Sequence, residues 1–464
     1  MKKWSLRIVS MGSPPEFTER ALKSKDDEAS EEYLLQIRRE KASREIDRIR
    51  NSFSFRIGTI IANCLKIPIL IPIMPFWIFG FIFKYGFERL GLIPSNQISS
   101  EREIVNPKRC VVLFPTNGVG LGHFTRLFAV AKRIRKQDPD VEIVFVTTMS
   151  ALHLVENEGY PAYHLPGSYM FNDMTSGEWN AITEEILATV FEIHRPSVFV
   201  FDGAFPYRGM LNAIKNRKGL TNIWLRRGTF KKGATKIPVD SIEHFDLVIR
   251  PGDSTSRPEE EISFSTPLKL VEAIIFADKE ELYSKEYVRT RLGIPQDSLV
   301  AYVQLGAGKI NDIETDLQRV IRLLNEHENL QIVVGESLIG DRMKLVGDRV
   351  RVIRDYPNSL SFNGFDFAIM AGGYNSYHEA IEFALPTVFI PNTKTGMDDQ
   401  VARVRKGESK GLCLILEETG DASMRKLIAK VVQHDVRHSI VESCEALHQK
   451  NGAVQVGKLI VSML

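Results

Sequence analysis

Residues 365–400 read FDFAIMAGGYNSYHEAIEFALPTVFIPNTKTGMDDQ, and the order of signals within them decides the fold. FDFAIM is a short, almost wholly apolar run of the kind expected for a strand buried on both faces of a parallel sheet. Gly372 and Gly373 end it, and the pattern then turns helical through Glu379. A second apolar run, PTVFIP (386–391), leads to Asp398, Asp399 and Gln400 at another loop-to-helix junction. Strand, glycine turn, helix and strand again form the repeating unit of doubly wound α/β domains.

The same alternation extends on both sides. SLVAYVQL (298–305), LQIVV (330–334) and VRVI (350–353) precede the quoted stretch as further strands. An earlier series comprises RCVVLFP (109–115), VEIVFVT (141–147), SVFVF (197–201), 222–225 and 246–249, with helical patterns over 125–136 and 178–194. Two series in one chain predict two Rossmann-like domains, over 108–252 and 297–464, the second ending in terminal helices. Residues 253–296, which follow Gly252 and contain Pro258 and Pro267, are the expected connection.

Residues 1–107 differ in kind. The segment 23–56 is highly charged, with Leu34, Leu35, Ile37, Ile46 and Ile49 at roughly helical intervals, an amphipathic signal. It runs into 57–83, IGTIIANCLKIPILIPIMPFWIFGFIF, in which Lys66 is the sole charge. About 20 apolar residues suffice to cross a bilayer, but Pro68, Pro72 and Pro75 interrupt the run and each removes a helical donor. Basic residues flank both ends, Arg38 to Arg56 before and Lys84 and Arg89 after. Both flanks then favour the cytoplasmic side. The expectation is a membrane-associating segment in a re-entrant or interfacial hairpin at the cytoplasmic face of the membrane; a single span and burial against protein are the alternatives.

Whole-chain composition excludes several classes. Of 464 residues, 44% are hydrophobic and 25% charged, which rules out a disordered chain, a collagen-like repeat and a polytopic membrane protein. Sixty Lys and Arg against 58 Asp and Glu leave a net charge of +2, so no general attraction to nucleic acid is expected. Any bound anion needs a local site. The four cysteines have no metal-ligand spacing, and a reducing compartment is expected.

Candidate chemistry lies where strands end. After the first strand, Gly118, Gly120 and Gly122 alternate and lead to His123 at a helix start. The spacing is neither GxGxxG nor a Walker loop. The helix dipole there disfavours an imidazolium, biasing His123 toward the neutral form of a general base; a tight turn with a packing histidine is the alternative. Asp202, at the end of VFVFD and before Gly203, is positioned to orient that ring, or to cap a helix near 206–211. In the second half, backbone donors at Gly372 and Gly373 with the Ser376 hydroxyl suit a phosphate. Glu379 can accept from sugar hydroxyls, Asp399 and Gln400 suit a polyol, and Gly306 and Gly308 form a third glycine loop or an ordinary turn. Asp138-Pro139-Asp140 resembles a metal-binding DxD, but its place before a strand marks a surface turn.

On AGGYNSYHE, LPTVFIPNTKTGMDDQVARV and GLGH, the chain resembles glycosyltransferases of the GT-B fold, in particular the family 28 type group that forms lipid II with UDP-N-acetylglucosamine. The resemblance covers about residues 108–464 and implies an acceptor domain followed by a donor-binding domain facing a cleft. It assigns Gly120, Gly122, Gly306, Gly308, Gly372, Gly373 and Ser376 to the donor and its diphosphate, Glu379 to the ribose, Asp399 and Gln400 to the transferred sugar, and His123 to the glycine-loop histidine. It implies inverting transfer of a hexose or N-acetylhexosamine from a UDP-sugar to a lipid-linked or membrane glycan acceptor, with the UDP-sugar as co-substrate and neither cofactor nor metal. The GVGLGHFTR loop is also similar to that of a nucleotide-sugar hydrolase, and Ala384-Leu385-Pro386 replaces the usual glycine before the strand proline. The group is not known for an apolar N-terminal segment of this length, which argues against lipid II itself as product. A hydrolase or epimerase and a non-catalytic nucleotide-sugar-binding subunit stand as alternatives.

Overall fold

The computed structural model describes residues 27–90, 92–93, 100–116, 120–167, 170–171, 173–227, 231, 241–254, 266–306, 313–339, 347–395, 398–417, 420–447 and 450–464. They belong to two compact units divided between Arg102 and Glu103.

The first unit contains helices α1 (Asp27–Asn51), α2 (Phe53–Lys66) and α3 (Met74–Arg89). Ser52 separates α1 from α2, its hydroxyl accepting the Phe55 N–H at 3.2 Å as an N-cap. Between α2 and α3 the chain tightens into a 3₁₀ turn over Pro68–Ile73, where Pro68 and Pro72 cannot donate to an α-helical ladder. α3 then returns along α2. Arg56 pairs with Glu88 at 2.9 Å, and the Phe53 ring lies 5.6 and 5.2 Å from those of Phe81 and Tyr85. The apolar segment is thus a helical hairpin. Its stretch Pro68–Arg89 is 22 residues long and apolar enough to cross a membrane by length and composition. Ile69, Phe76 and Phe79 are 82%, 77% and 69% exposed.

The second unit holds two parallel sheets. Strands β1 (Lys108–Pro115), β2 (Glu142–Thr147), β3 (Ala162–His164), β4 (Pro196–Asp202), β5 (Thr221–Leu225), β6 (Leu247–Pro251) and β7 (Leu268–Val271) make the first, in the order β3-β2-β1-β4-β5-β6-β7. Strands β8 (Leu299–Gln304), β9 (Leu330–Gly335), β10 (Val350–Ile353), β11 (Phe367–Ala371), β12 (Thr387–Ile390) and β13 (Leu414–Ile415) make the second, in the order β10-β9-β8-β11-β12-β13. Both orders reverse direction next to their first strand, the doubly wound arrangement that opens a crevice at the strand ends. The central strands are buried on both faces, as their apolar runs require: Val111–Phe114 and Val300–Val303 are sealed completely.

Two assignments need correction. Residues 253–296 are more than a connection, because Leu268–Val271 forms the edge of the first sheet, pairing Val248 with Leu268 and Ile249 with Lys269. An edge strand has one neighbour, and its side chains are largely exposed, so no continuous apolar run marks it. The terminal helix over Gly452–Val461 does not extend the second core. Its Ala453, Val456 and Ile460 pack into the first, beside helix α4 (Gly122–Gln137).

Candidate active site

The crevice of the first sheet lies between β1 and β4. Pro115 and Asp202 are register partners at the ends of these strands, and the Thr116 N–H donates to the Asp202 carbonyl at 2.9 Å. The chain leaving β1 re-enters as α4, with His123 at its second residue. Strand adjacency therefore brings together two residues 79 positions apart: His123 Nδ1 lies 2.6 Å from Asp202 Oδ1. Asp202 caps no helix, since the helix over Arg208–Ile214 has Tyr207 at its N-cap and no side-chain cap bond. Gly203 follows Asp202 because a Cβ there would come within 2.4 Å of the Phe201 ring.

A third member of this group carried no expectation. Arg126, one helical turn after His123 and buried, donates through Nε to Asp202 Oδ2 at 3.0 Å and through Nη2 to Oδ1 at 2.7 Å. Its guanidinium also covers the Tyr374 ring at 5.4 Å. The i, i+3 spacing of His123 and Arg126 was the legible signal. Burial raises the Asp202 carboxyl, but the charges of Arg126 and His123 outweigh it and hold the group below its ordinary range. Burial pushes the His123 imidazole down; Asp202 opposes this, while Arg126 and Arg227 add to it.

The second sheet presents its own crevice at the equivalent place. β8 and β11 are neighbours, Gln304 pairing with Met370, and the glycine positions follow each strand. Gly306 has φ +110, a conformation that L side chains rarely adopt, and a Cβ there would meet open space. Gly373 is the N-cap of helix α5 (Tyr374–Glu382), and a Cβ on it would also meet nothing. Gly372 is different: a Cβ there would come 2.8 Å from Val404, so packing demands this glycine. Ser376 is half-buried in the first turn of α5. Glu379, one turn on, is buried, and burial raises its carboxyl to about 8. Gly308 and Gly118 lie outside the described residues, whereas Gly120 is described and open.

The two crevices meet. Asn375 Nδ2 donates to the Gly122 carbonyl at 3.3 Å, and the Thr125 and Tyr356 hydroxyls are 2.9 Å apart. The N-termini of α4 and α5 thus face each other, and the buried Asn375 Oδ1 between them has no partner among the described residues. Two helix N-termini concentrate positive potential and free N–H groups at one place, suited to an anion.

The expected pair Asp399 and Gln400 divides its work differently. Asp399 Oδ1 accepts the Ala402 N–H at 3.0 Å as N-cap of helix α6 (Gln400–Glu408), and Gln400 Oε1 accepts the Asn392 N–H at 2.9 Å. Asp398 is the carboxylate turned inward, 2.7 Å from Arg403 and 3.2 Å from Arg227. The helix begins one residue after Asp399, and that register fixes which carboxylate caps. Asp138 accepts the Asp140 N–H at 3.1 Å and pairs with Arg109, so the DPD tract is a surface turn.

No family model matches the chain. It is similar to the UDP-N-acetylglucosamine–N-acetylmuramyl-(pentapeptide) pyrophosphoryl-undecaprenol N-acetylglucosamine transferase of Acetivibrio thermocellus, 20% identical over 321 residues, 65% of this chain and 84% of that protein. The enzyme of the same description from Alkaliphilus oremlandii is 19% identical over 362 residues, 74% of this chain and 94% of its own. Among solved structures, the glycotransferase of kitacinnamycin superposes with a TM-score of 0.56 at 13% identity, covering 77% of this chain and all of that one. The chain has the GT-B fold and, over most of its length, resembles glycosyltransferases of the lipid II-forming group.

Proposed function

We propose that the protein is a membrane-associated glycosyltransferase that moves a hexose or N-acetylhexosamine from a UDP-sugar to a lipid-linked or glycan acceptor, with inversion. The observation that carries this reading is the His123–Asp202 contact facing the donor-type helix N-terminus. A carboxylate oxygen 2.6 Å from Nδ1 repels a bare nitrogen lone pair and favours Nδ1–H, which leaves Nε2 as the basic nitrogen. His123 takes the acceptor hydroxyl proton through Nε2 as that oxygen attacks the anomeric carbon from the face opposite the leaving group. Asp202 steadies the imidazolium as it forms. The bond from the anomeric carbon to the diphosphate breaks, and UDP leaves with the bonding pair. Backbone donors around Gly306 and Gly373, with Ser376 and the facing helix N-termini, support the developing charge. Glu379 receives the ribose hydroxyls, and Gln400 keeps its amide N–H groups for the sugar.

The hairpin supports the membrane part of the proposal. Its α2 arm of 14 residues is about 21 Å long at 1.5 Å per residue, shorter than the roughly 30 Å hydrocarbon core. A turn with exposed Ile69, Ile71 and Ile73, exposed Phe76 and Phe79 just beyond it, and a base carrying Arg56, Lys84 and Arg89 suit a segment that enters one leaflet from the cytoplasmic face without crossing. Basic residues at that depth add about 1 kcal/mol each on anionic lipid.

The test is incubation of the purified full chain with a panel of labelled nucleotide sugars and membrane extract. Label entering the lipid or glycan fraction from a UDP-sugar supports transfer. Free sugar released from donor alone, with none in that fraction, replaces transfer with hydrolysis.

A further inference from the structure

Arg126 sits where neither packing nor solubility accounts for it. Its guanidinium is buried beneath the helix that carries His123 and forms two bonds to the carboxylate that also holds the imidazole. A buried cation needs a partner, but an apolar side chain of similar volume in place of a buried ion pair is often no worse for stability. The fork instead fixes geometry. Asp202 Oδ1 is shared between Arg126 Nη2 at 2.7 Å and His123 Nδ1 at 2.6 Å, and Nη2 itself lies 2.8 Å from Nδ1. With Nδ1 protonated toward Asp202, Nη2 and Nδ1 are two donors gathered on one oxygen; with Nδ1 bare, Nη2 donates to it. That contact is tolerable against a neutral ring and repulsive against an imidazolium.

We propose that Arg126 is a positioning residue for the transfer: it locks Asp202 against His123 Nδ1, so that Nε2 is presented unprotonated, and its charge opposes a second proton on the ring. The inference rests on the reading of His123 as the base. Charged and titratable groups face the ring from each packed element. Asp202 comes from the end of β4, Arg126 from α4 itself and Arg227 from the loop after β5. From the second half, Tyr374 covers the Arg126 guanidinium and Tyr356 holds Thr125. Asp202 is the only anion in this set and favours the imidazolium; the two arginines oppose it. Removing Arg126 therefore leaves Asp202 free to stabilise the cation, and the ring must titrate at higher pH.

The experiment uses the full chain, with His123 followed by NMR of labelled imidazoles, assigned by the signal lost in His123→Ala, alongside kcat/KM against pH. In Arg126→Gln the His123 midpoint and the acid limb of the profile should both rise by about one pH unit or more, so that activity lost below neutrality partly returns at higher pH. Arg126→Lys keeps the charge but not the planar fork; its midpoint should stay within a few tenths of a unit while kcat falls about tenfold or more. An unshifted midpoint in Arg126→Gln, with loss equal at every pH, overturns the inference. Should that variant fail to fold, Arg126→Lys with wild-type kcat overturns it, and reduced kcat with an unmoved midpoint supports it. Near-normal turnover in His123→Ala would instead defeat the underlying assignment of the base, which separates the two failures.

Discussion

The two crevices of the second unit have the same strand order but opposite degrees of completion. In the first, His123, Asp202 and Arg126 satisfy one another, and the charges are in place before any ligand arrives. In the second, Gly306 and Gly373 open onto empty space and the Asn375 side-chain Oδ1 has no partner among the described residues. The difference teaches how the division of labour is built. On the proposed function, the proton acceptor is oriented in advance, whereas the donor diphosphate supplies its own charge and needs only donors and room.

Breaking the completed side should have the largest effect. Asp202→Asn allows the carboxamide to favour the wrong imidazole tautomer, and kcat should fall about 10²- to 10⁴-fold, measured under saturating donor. Nucleotide affinity, set in the other crevice, should change little.

The open side can be closed by one side chain. Gly373→Val should weaken UDP binding, by about tenfold or more in calorimetry, with a melting temperature near that of the parent, because the added atoms fill ligand space. Its neighbour offers the contrast. Gly372→Ala should lower stability by roughly 1–3 kcal/mol through the clash with Val404, and the loss should appear in thermal unfolding.

Glu379 sharpens the comparison through pH. Its carboxyl is raised to about 8 by burial, so the folded state holds its proton more tightly than the unfolded chain does. That contribution is fully present below the ordinary carboxylate range and is lost as pH rises through about 8. Unfolding of the parent should therefore show stability declining across this window by on the order of a few kcal/mol at most, and Glu379→Gln should flatten the decline. A flat parent profile contradicts the burial assigned to Glu379.

Much of this contrast was legible in the sequence, for a physical reason. Strands buried on both faces must be continuous apolar runs, so RCVVLFP and SLVAYVQL announce themselves, and the doubly wound order then puts the residues after β1 beside the end of β4. That rule brings His123 and Asp202 to one crevice, but their 2.6 Å contact is visible only in the structure. Edge strands obey no such constraint, which hid Leu268–Val271. The terminal helix is readable as a helix, but its apolar face does not say which sheet it will cover. Asp398 and Asp399 differ only in which of them precedes the helix, and a shift of one residue exchanges cap for inward carboxylate. The three prolines predicted a broken apolar segment, and Phe53 against Tyr85 with Arg56 against Glu88 shows the hairpin they produce. Replacing both Phe76 and Phe79 by Asp should reduce partition onto anionic vesicles by about tenfold or more, since each buried aromatic contributes roughly 1.5–3 kcal/mol.

The central claim is that proton removal belongs to the first crevice and nucleotide capture to the second. Turnover and UDP affinity measured side by side on His123→Ala test it most directly. The account predicts turnover reduced about 10²-fold or more with UDP affinity within about twofold of the parent. Near-normal turnover, or affinity lost together with activity, would contradict it.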